Sequence, residues 1–193
     1  EDVPFGRTGT AWPTAWSSDG QFVVSTRSDP KTLQDLWLVP LAGAGDRAPR
    51  PYLQTPFSET TGRVSPDSHW LAYVSDESGR QEVYVQSFPE PGRKRRVSTG
   101  GGSQPQWDKR GTELYYLSLD QKLMTVTVSR AGSSLEQSPP QVLFEAPPVP
   151  SDSTRIPYAV TADGQRFLFN AVTTDLFERG ITVGLHWPAM LKK

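Results

Sequence analysis

The sequence predicts an all-β fold: a β-propeller segment of about four blades of four-stranded antiparallel sheets, the last blade incomplete. Three observations predict it. A turn motif between apolar runs recurs four times in the 193 residues. Its equivalent positions 19, 67, 110 and 163 are 48, 43 and 53 residues apart, close to the roughly 40 to 50 residues of a four-stranded blade. Eighteen Pro and sixteen Gly punctuate the whole chain, with six Trp, six Tyr and eight Phe for packing between the turns.

Taken in order, the first unit spans about 12–55 and carries Trp16-Ser17-Ser18-Asp19-Gly20 before the apolar strand at Phe22–Ser25. Leu36–Leu41 follows as a second extended stretch and Arg50–Gln54 as an outer strand. The second unit, about 56–99, has Val64-Ser65-Pro66-Asp67-Ser68 before Trp70–Ser75, then Glu82–Phe88 and Lys94–Ser98. Glu82–Phe88 alternates with period two, as a half-buried strand does. The third, about 100–145, has Trp107-Asp108-Lys109-Arg110-Gly111 before Leu114–Ser118, with Gln141–Phe144 outermost. The fourth, about 146–193, has Val160-Thr161-Ala162-Asp163-Gly164, then Arg166–Val172 and Ile181–Trp187, and shows no outer strand. The whole reads as one repetitive domain over 1–193.

The turn residues have a physical role. Asp19, Asp67 and Asp163 can accept hydrogen bonds from backbone amides ahead of them, while Gly20, Gly111 and Gly164 supply the positive φ of a tight hairpin. Ser68 stands where the second copy would have glycine, and a different turn type is expected there. Arg110 stands in place of the third aspartate and Ala162 in place of a proline.

An unpaired last blade leaves a sheet edge open. Only Glu1–Ala11 is available within the chain to close it, and Pro4, Gly6 and Gly9 make that a poor strand. The expectation is part of a larger propeller, or a ring completed by a second copy of the chain. The start Glu1-Asp2-Val3-Pro4 is neither a signal sequence nor an initiating Met, so the chain is expected to be a mature form or an excised domain.

Composition excludes several classes of function. Twenty Lys and Arg balance twenty-one Asp and Glu, so there is no net field to hold nucleic acid or an anionic membrane. Without cysteine there is no disulfide, thiol nucleophile or thiolate zinc site. No apolar window reaches the roughly 18 to 20 residues of a membrane span, so direct insertion is not expected.

These turns resemble those of the TolB-like, WD-like propellers of bacteria, whose hallmark is a Trp-Ser-Pro-Asp-Gly turn before an apolar strand. More narrowly, Tyr73–Gln86, Val97–Trp107 and Ile181–Trp187 are similar to the C-terminal sensor propeller of bacterial receptor-type serine/threonine kinases. That resemblance implies a propeller outside the inner membrane, in a periplasmic or extracytoplasmic setting. It carries no catalytic set onto this chain.

The residues offer little catalytic chemistry. His69 and His186 are the only histidines, and no Gly-x-Ser-x-Gly elbow accompanies them. No short His-x-His or His-x-x-x-His spacing points to a metal. The turn aspartates come from separate blades and lack the dense oxygen loop of a calcium site. Thr99–Ser103 has three glycines but no following Lys-Ser/Thr, and reads as a flexible connection between blades. Arg93-Lys94-Arg95-Arg96 opens an outer strand, where charge blocks edge pairing, and Pro147–Pro150 reads as a stiff inter-blade loop.

The expectation is therefore a non-catalytic binding or sensor module that presents loops from successive blades to a protein, peptide or glycan, with no cofactor. Arg27, Glu77, Gln104, Arg155 and Asp175 are candidate binding-face residues, in or beside those loops. The alternative is a propeller hydrolase or lyase, or the gating propeller of a prolyl-oligopeptidase-type enzyme.

Overall fold

The structure is a computed structural model that describes residues 10–41, 48–131, 134–150, 156–171 and 182–184. Among them there are sixteen strands and no helix, arranged as four antiparallel sheets. The first sheet runs β1 (Ala11–Trp16), β2 (Phe22–Asp29), β3 (Leu33–Pro40) and β4 (Arg50–Leu53) in chain order. The second runs β5 (Glu59–Val64), β6 (Trp70–Ser75), β7 (Glu82–Ser87) and β8 (Lys94–Arg96). The third holds β9 (Ser103–Trp107), β10 (Glu113–Leu117), β11 (Lys122–Ala131), β12 (Ser134–Gln137) and β13 (Gln141–Glu145). The fourth holds β14 (Tyr158–Val160), β15 (Phe167–Phe169) and β16 (Thr182–Gly184).

The third sheet departs from the expected four strands. β11 is long enough to pair β13 along Lys122–Thr125 and β12 along Val128–Ala131. Leu135 of β12 is buried with Val97 of the second sheet, and Gln137 Nε2 donates to Arg96 O at 3.0 Å. The extra hairpin thus clasps the neighbouring blade.

Sheets pack face to face through their inner strands: β5 against β1, β2 and β3, and β9 against β5, β6 and β7. This is why β6 is buried along its whole length. Its alternate residues serve two cores, Trp70, Ala72 and Val74 facing the third sheet and Leu71 and Tyr73 facing the first. A sheet covered on both faces needs such a continuous apolar run. β10 divides in the same way, with Leu114 and Tyr116 in one core and Tyr115 and Leu117 in the next. The first two sheets approach so closely that a Cβ on Gly62 would lie 2.9 Å from Val24 Cγ1.

The four turns share one geometry. Ser17 N donates to Phe22 O and Gly20 N to Ser17 O, both at 2.9 Å. Asp19 Oδ1 accepts from Ser17 Oγ at 2.6 Å and from Gln21 N at 3.0 Å. Ser65–Trp70 and Thr161–Arg166 repeat the pattern, with Asp67 and Asp163 in the aspartate role.

The expected change of turn type at Ser68 does not occur. Ser68 takes φ 56°, beside 72° at Gly20, and its amide makes the same bond, to Ser65 O at 2.9 Å. Its hydroxyl accepts from Asp19 N at 3.4 Å, a link between blades that glycine cannot make. In the third turn the carboxylate has moved two residues back. Asp108 Oδ1 accepts from Thr112 N at 2.7 Å and Glu113 N at 2.9 Å, while Arg110 donates to Oδ2 at 3.2 Å.

A fifth copy went unread in the sequence. Ser118-Leu119-Asp120-Gln121 closes the β10–β11 hairpin, with Ser118 Oγ donating to Asp120 at 2.6 Å and Gln121 at φ 63°.

Candidate functional site

Strand pairing sorts the loops into two ends. Ala11, Arg27, Asp35 and Leu53 lie at one end of the first sheet, Glu59, Ser75 and Glu82 at the same end of the second, and Ser103, Leu117 and Leu123 of the third. The blade-to-blade crossovers gather there. The four turns that join the first and second strands of each sheet lie at the other end, the first two of them linked by the Asp19–Ser68 bond; the Ser118–Gln121 turn lies at the crossover end.

The crossover end holds three of the four buried carboxyls among the described residues, Asp35, Glu59 and Glu82. Glu82 is 2% exposed; its Oε2 accepts from Ser98 Oγ and its Oε1 from Gly101 N at 2.9 Å. Ser98 Oγ in turn accepts from Val83 N at 2.7 Å, and Gly102 N donates to Gln81 O at 2.9 Å. The glycine-rich connection is therefore tied down, contrary to the flexible link expected from Thr99–Ser103.

Asp35 and Glu59 occupy the preceding crossover. Thr32 Oγ1 and Gln54 Nε2 donate to Asp35 Oδ2 at 2.7 and 3.2 Å, and Thr55 Oγ1 donates to Glu59 Oε1 at 2.5 Å. Asp35 Oδ1 and Glu59 Oε2 are buried without partners. Burial pushes the Glu59 carboxyl up to about 7, and the charge of Asp35 adds to the effect. Burial raises Asp35 as well.

A small pocket opens between these crossovers and the next. Its volume is about 100 Å³. Gln81 approaches from the β6–β7 hairpin, Ser103 and Gln104 from β9, and Ser118 and Gln121 from the β10–β11 turn. Val149, Pro150 and Pro157 wall it from the crossover into the fourth sheet. The expected stiff loop at Pro147–Pro150 thus forms part of a cavity.

Gln104 is the candidate residue that lines this pocket. The sequence placed it in a surface loop; it lies within β9 at 7% exposure. It bulges out of register, at φ 55°, where β9 and β10 lose regular pairing. Tyr158 Oη donates to its backbone oxygen at 2.9 Å, so the fourth sheet holds the bulge in place. Gln104 Oε1 is buried without a hydrogen-bond partner.

The other candidate residues are dispersed. Arg27 lies inside β2, its guanidinium 4.6 Å from the centre of the Trp37 ring. Glu77 lies in the β6–β7 hairpin at the crossover end, 2.5 Å from Lys94 Nζ. Arg155 and Asp175 lie outside the described residues, as does His186. His69 is exposed in its turn. Among the described candidates, only Gln104 lines the pocket, with Gln81 from the hairpin that carries Glu77 beside it. The buried pair Asp35 and Glu59 had no signal in the sequence beyond charge in a strand-forming run.

A larger cavity of about 660 Å³ runs along β14 and β15 with Gln106 and Trp107 at its side. It is an open apolar sheet face, and Leu168 there is 42% exposed. The smaller pocket is the one with an uncommitted buried polar group.

No family model matches the chain, and no curated protein matches it. Solved structures do. TolB from Acinetobacter baumannii matches at TM-score 0.68 and 14% identity, over 96% of this chain and 43% of that one. Oligogalacturonate lyase in complex with manganese matches at TM-score 0.60 and 15% identity, over 94% and 51%. A β-propeller domain from Myceliophteria thermophila matches at TM-score 0.57 and 13% identity, over 93% and 58%. The chain has a TolB-like propeller fold, and it spans about half the length of each of these structures. Propellers of this shape include both TolB and enzymes.

Proposed function

We propose that the chain is a non-catalytic binding or sensor module whose working face is the crossover end. The observation that carries this reading is the pocket at Gln104, a cavity of mixed polar and apolar lining at the meeting of three blades, beside a bulged residue whose side-chain oxygen is buried without a partner. A group left unpaired in this way is costly to a fold and of use to a ligand. Strand bulges and positive φ are features that cluster at binding sites.

The likeness of Tyr73–Gln86 and Val97–Trp107 to receptor-kinase sensor propellers supports an extracytoplasmic setting. The TolB match supports it weakly through shared fold. Gln104 falls inside the second of those strings and Glu77 inside the first, so the resemblance and the pocket involve the same end of the molecule.

The test is a peptide and glycan array probed with the purified chain and with Gln104→Met. Binding lost in that variant at unchanged thermal midpoint supports the module. Reproducible turnover in a hydrolase and lyase screen, abolished by His69→Ala or His186→Ala, overturns it.

A further inference from the structure

We propose that Arg63 anchors a further binding site, at the inner edge of the second and third sheets, for a ligand that carries a single carboxylate group. Arg63 does not line the pocket at Gln104, and the site stands or falls apart from that pocket.

The repeat shows what is unusual about this residue. Ala15, Arg63, Gln106 and Ala159 are the next-to-last residues of β1, β5, β9 and β14, the first strand of each sheet. All four keep accessible surface. Their cross-strand partners are Val24, Ala72, Tyr115 and Leu168, and in the first three sheets those partners face the following blade. One position per blade thus points forward from the inner edge of its sheet. Two blades place a methyl group there and one an amide; Arg63 alone of the four brings a charge.

The guanidinium is held at its base and open at its tip. Trp107 Nε1 donates to Arg63 O at 3.0 Å, which fixes the backbone against the third sheet. The side chain comes within electrostatic reach of Tyr158 in the fourth sheet, whose hydroxyl already donates to Gln104 O. Nε is enclosed and has no acceptor. Nη1 and Nη2 also lack acceptors among the described residues but keep accessible surface, so the fork is presented to a guest.

Other cations of the chain are treated differently. Arg50, Lys94, Arg110 and Lys122 each have a carboxylate, from Glu90, Glu77, Asp108 and Asp120, although their side chains are between 36% and 68% exposed. Arg63 is more enclosed, yet among the described residues it has neither a carboxylate nor an aromatic ring against it. Burial lowers it to about 10, which leaves it cationic at neutral pH. A cation withdrawn from water without a counter-ion weakens a fold. A methionine stem would fill the same space without that cost, so the charge serves a ligand.

Geometry and charge then select the ligand group. The two Nη groups lie in one plane and match the two oxygens of a carboxylate, which a single guanidinium also neutralises. A phosphate dianion would keep a net charge in a half-enclosed site.

The experiment is a titration of the ¹⁵N-labelled chain at fixed ionic strength, followed by NMR. N-acetylglycine and glucuronate offer the same carboxylate on a peptide and on a sugar. At least one is expected to give saturable shifts at Arg63 Nε–H and at the Trp107 indole N–H, and the tighter of the two identifies the source. N-acetylglycinamide, of the same shape but neutral, is expected to bind at least about tenfold more weakly. Arg63→Lys keeps the charge and loses the fork, and should weaken binding at least about fivefold. Arg63→Met should abolish binding while the thermal midpoint stays level or rises.

Shifts that fail to saturate, equal binding of the neutral amide, or binding that survives Arg63→Met would each overturn the proposal. Inorganic phosphate binding as tightly as the carboxylates would overturn it in favour of an unselective anion site. A thermal midpoint that falls by several degrees in Arg63→Met would show that the arginine serves the fold, and would overturn it too.

Discussion

The first and second crossovers occupy equivalent places in successive blades, yet their carboxyls are treated oppositely. Asp35 pairs across the sheet with Arg27 as Glu82 does with Ser75, and Gln54 reaches Asp35 as Ser98 reaches Glu82. Glu82 is one methylene longer and also reaches the backbone of Gly101, so both of its oxygens have donors. Asp35 stops short, and Oδ1 is left without one. Glu59 enters the same seam and leaves a second oxygen bare. A repeat can thus copy a backbone while one seam becomes a rigid tie and the next a store of unfavourable burial.

The comparison breaks most visibly at Glu82. Glu82→Ala strands the Ser98 hydroxyl and the Gly101 amide in a buried site, and should cost about 3 to 4 kcal/mol in urea unfolding. A loss below about 1 kcal/mol would mean the second seam is no firmer than the first.

Next in size is a pH effect at Glu59. Its carboxyl is pushed up to about 7 by burial, above its ordinary 4.5. The folded state therefore keeps a proton that the unfolded chain releases. The stabilisation is full below about pH 4.5 and is lost as pH rises through about 7. Roughly 2 to 3 kcal/mol should disappear between pH 5 and 8. Urea midpoints across that range should flatten in Glu59→Gln, which should also be the more stable protein at pH 8.

Asp35→Asn sharpens the same point. It removes the charge while keeping an acceptor for Thr32 and Gln54, and should gain about 1 kcal/mol at neutral pH. Combined with Glu59→Gln the gains should fall short of additive, because the Asp35 charge is part of what raises Glu59.

The smallest effect belongs at the opposite end, where the blades agree. Ser68→Gly relieves a side chain at φ 56° and gives up the contact from Asp19 N at 3.4 Å. A net gain of about 0.5 kcal/mol by thermal unfolding is expected. A loss would show that the inter-blade bond outweighs the strain.

Much of the fold was legible because each turn carries its own chemistry. Ser17 and Asp19 meet within two residues, as do Ser65 and Asp67, and the apolar runs that follow need partners on both faces. The third turn stayed readable as a position but not as a mechanism, since Asp108 does from the first place what Asp19 does from the third. The Ser118–Gln121 turn and the β12 clasp were missed: one lacks glycine, and the other is a local extension that departs from the repeat.

The site was much less legible. Gln104 looked like a loop residue because it follows three glycines; a bulge and a hydroxyl 54 positions away, on Tyr158, make it a buried strand residue. The amino-acid sequence by itself determined where the chain turns, which strands follow, and that charge would sit in strand-forming runs. Tertiary structure alone decided which carboxyls are satisfied and which amide is buried without a partner for its oxygen. Turns close through bonds between neighbours in the chain. Burial and pairing at the crossover end depend on Glu82 meeting Gly101, Asp35 meeting Gln54 and Gln104 meeting Tyr158, distances in sequence that only the packing of whole blades brings together.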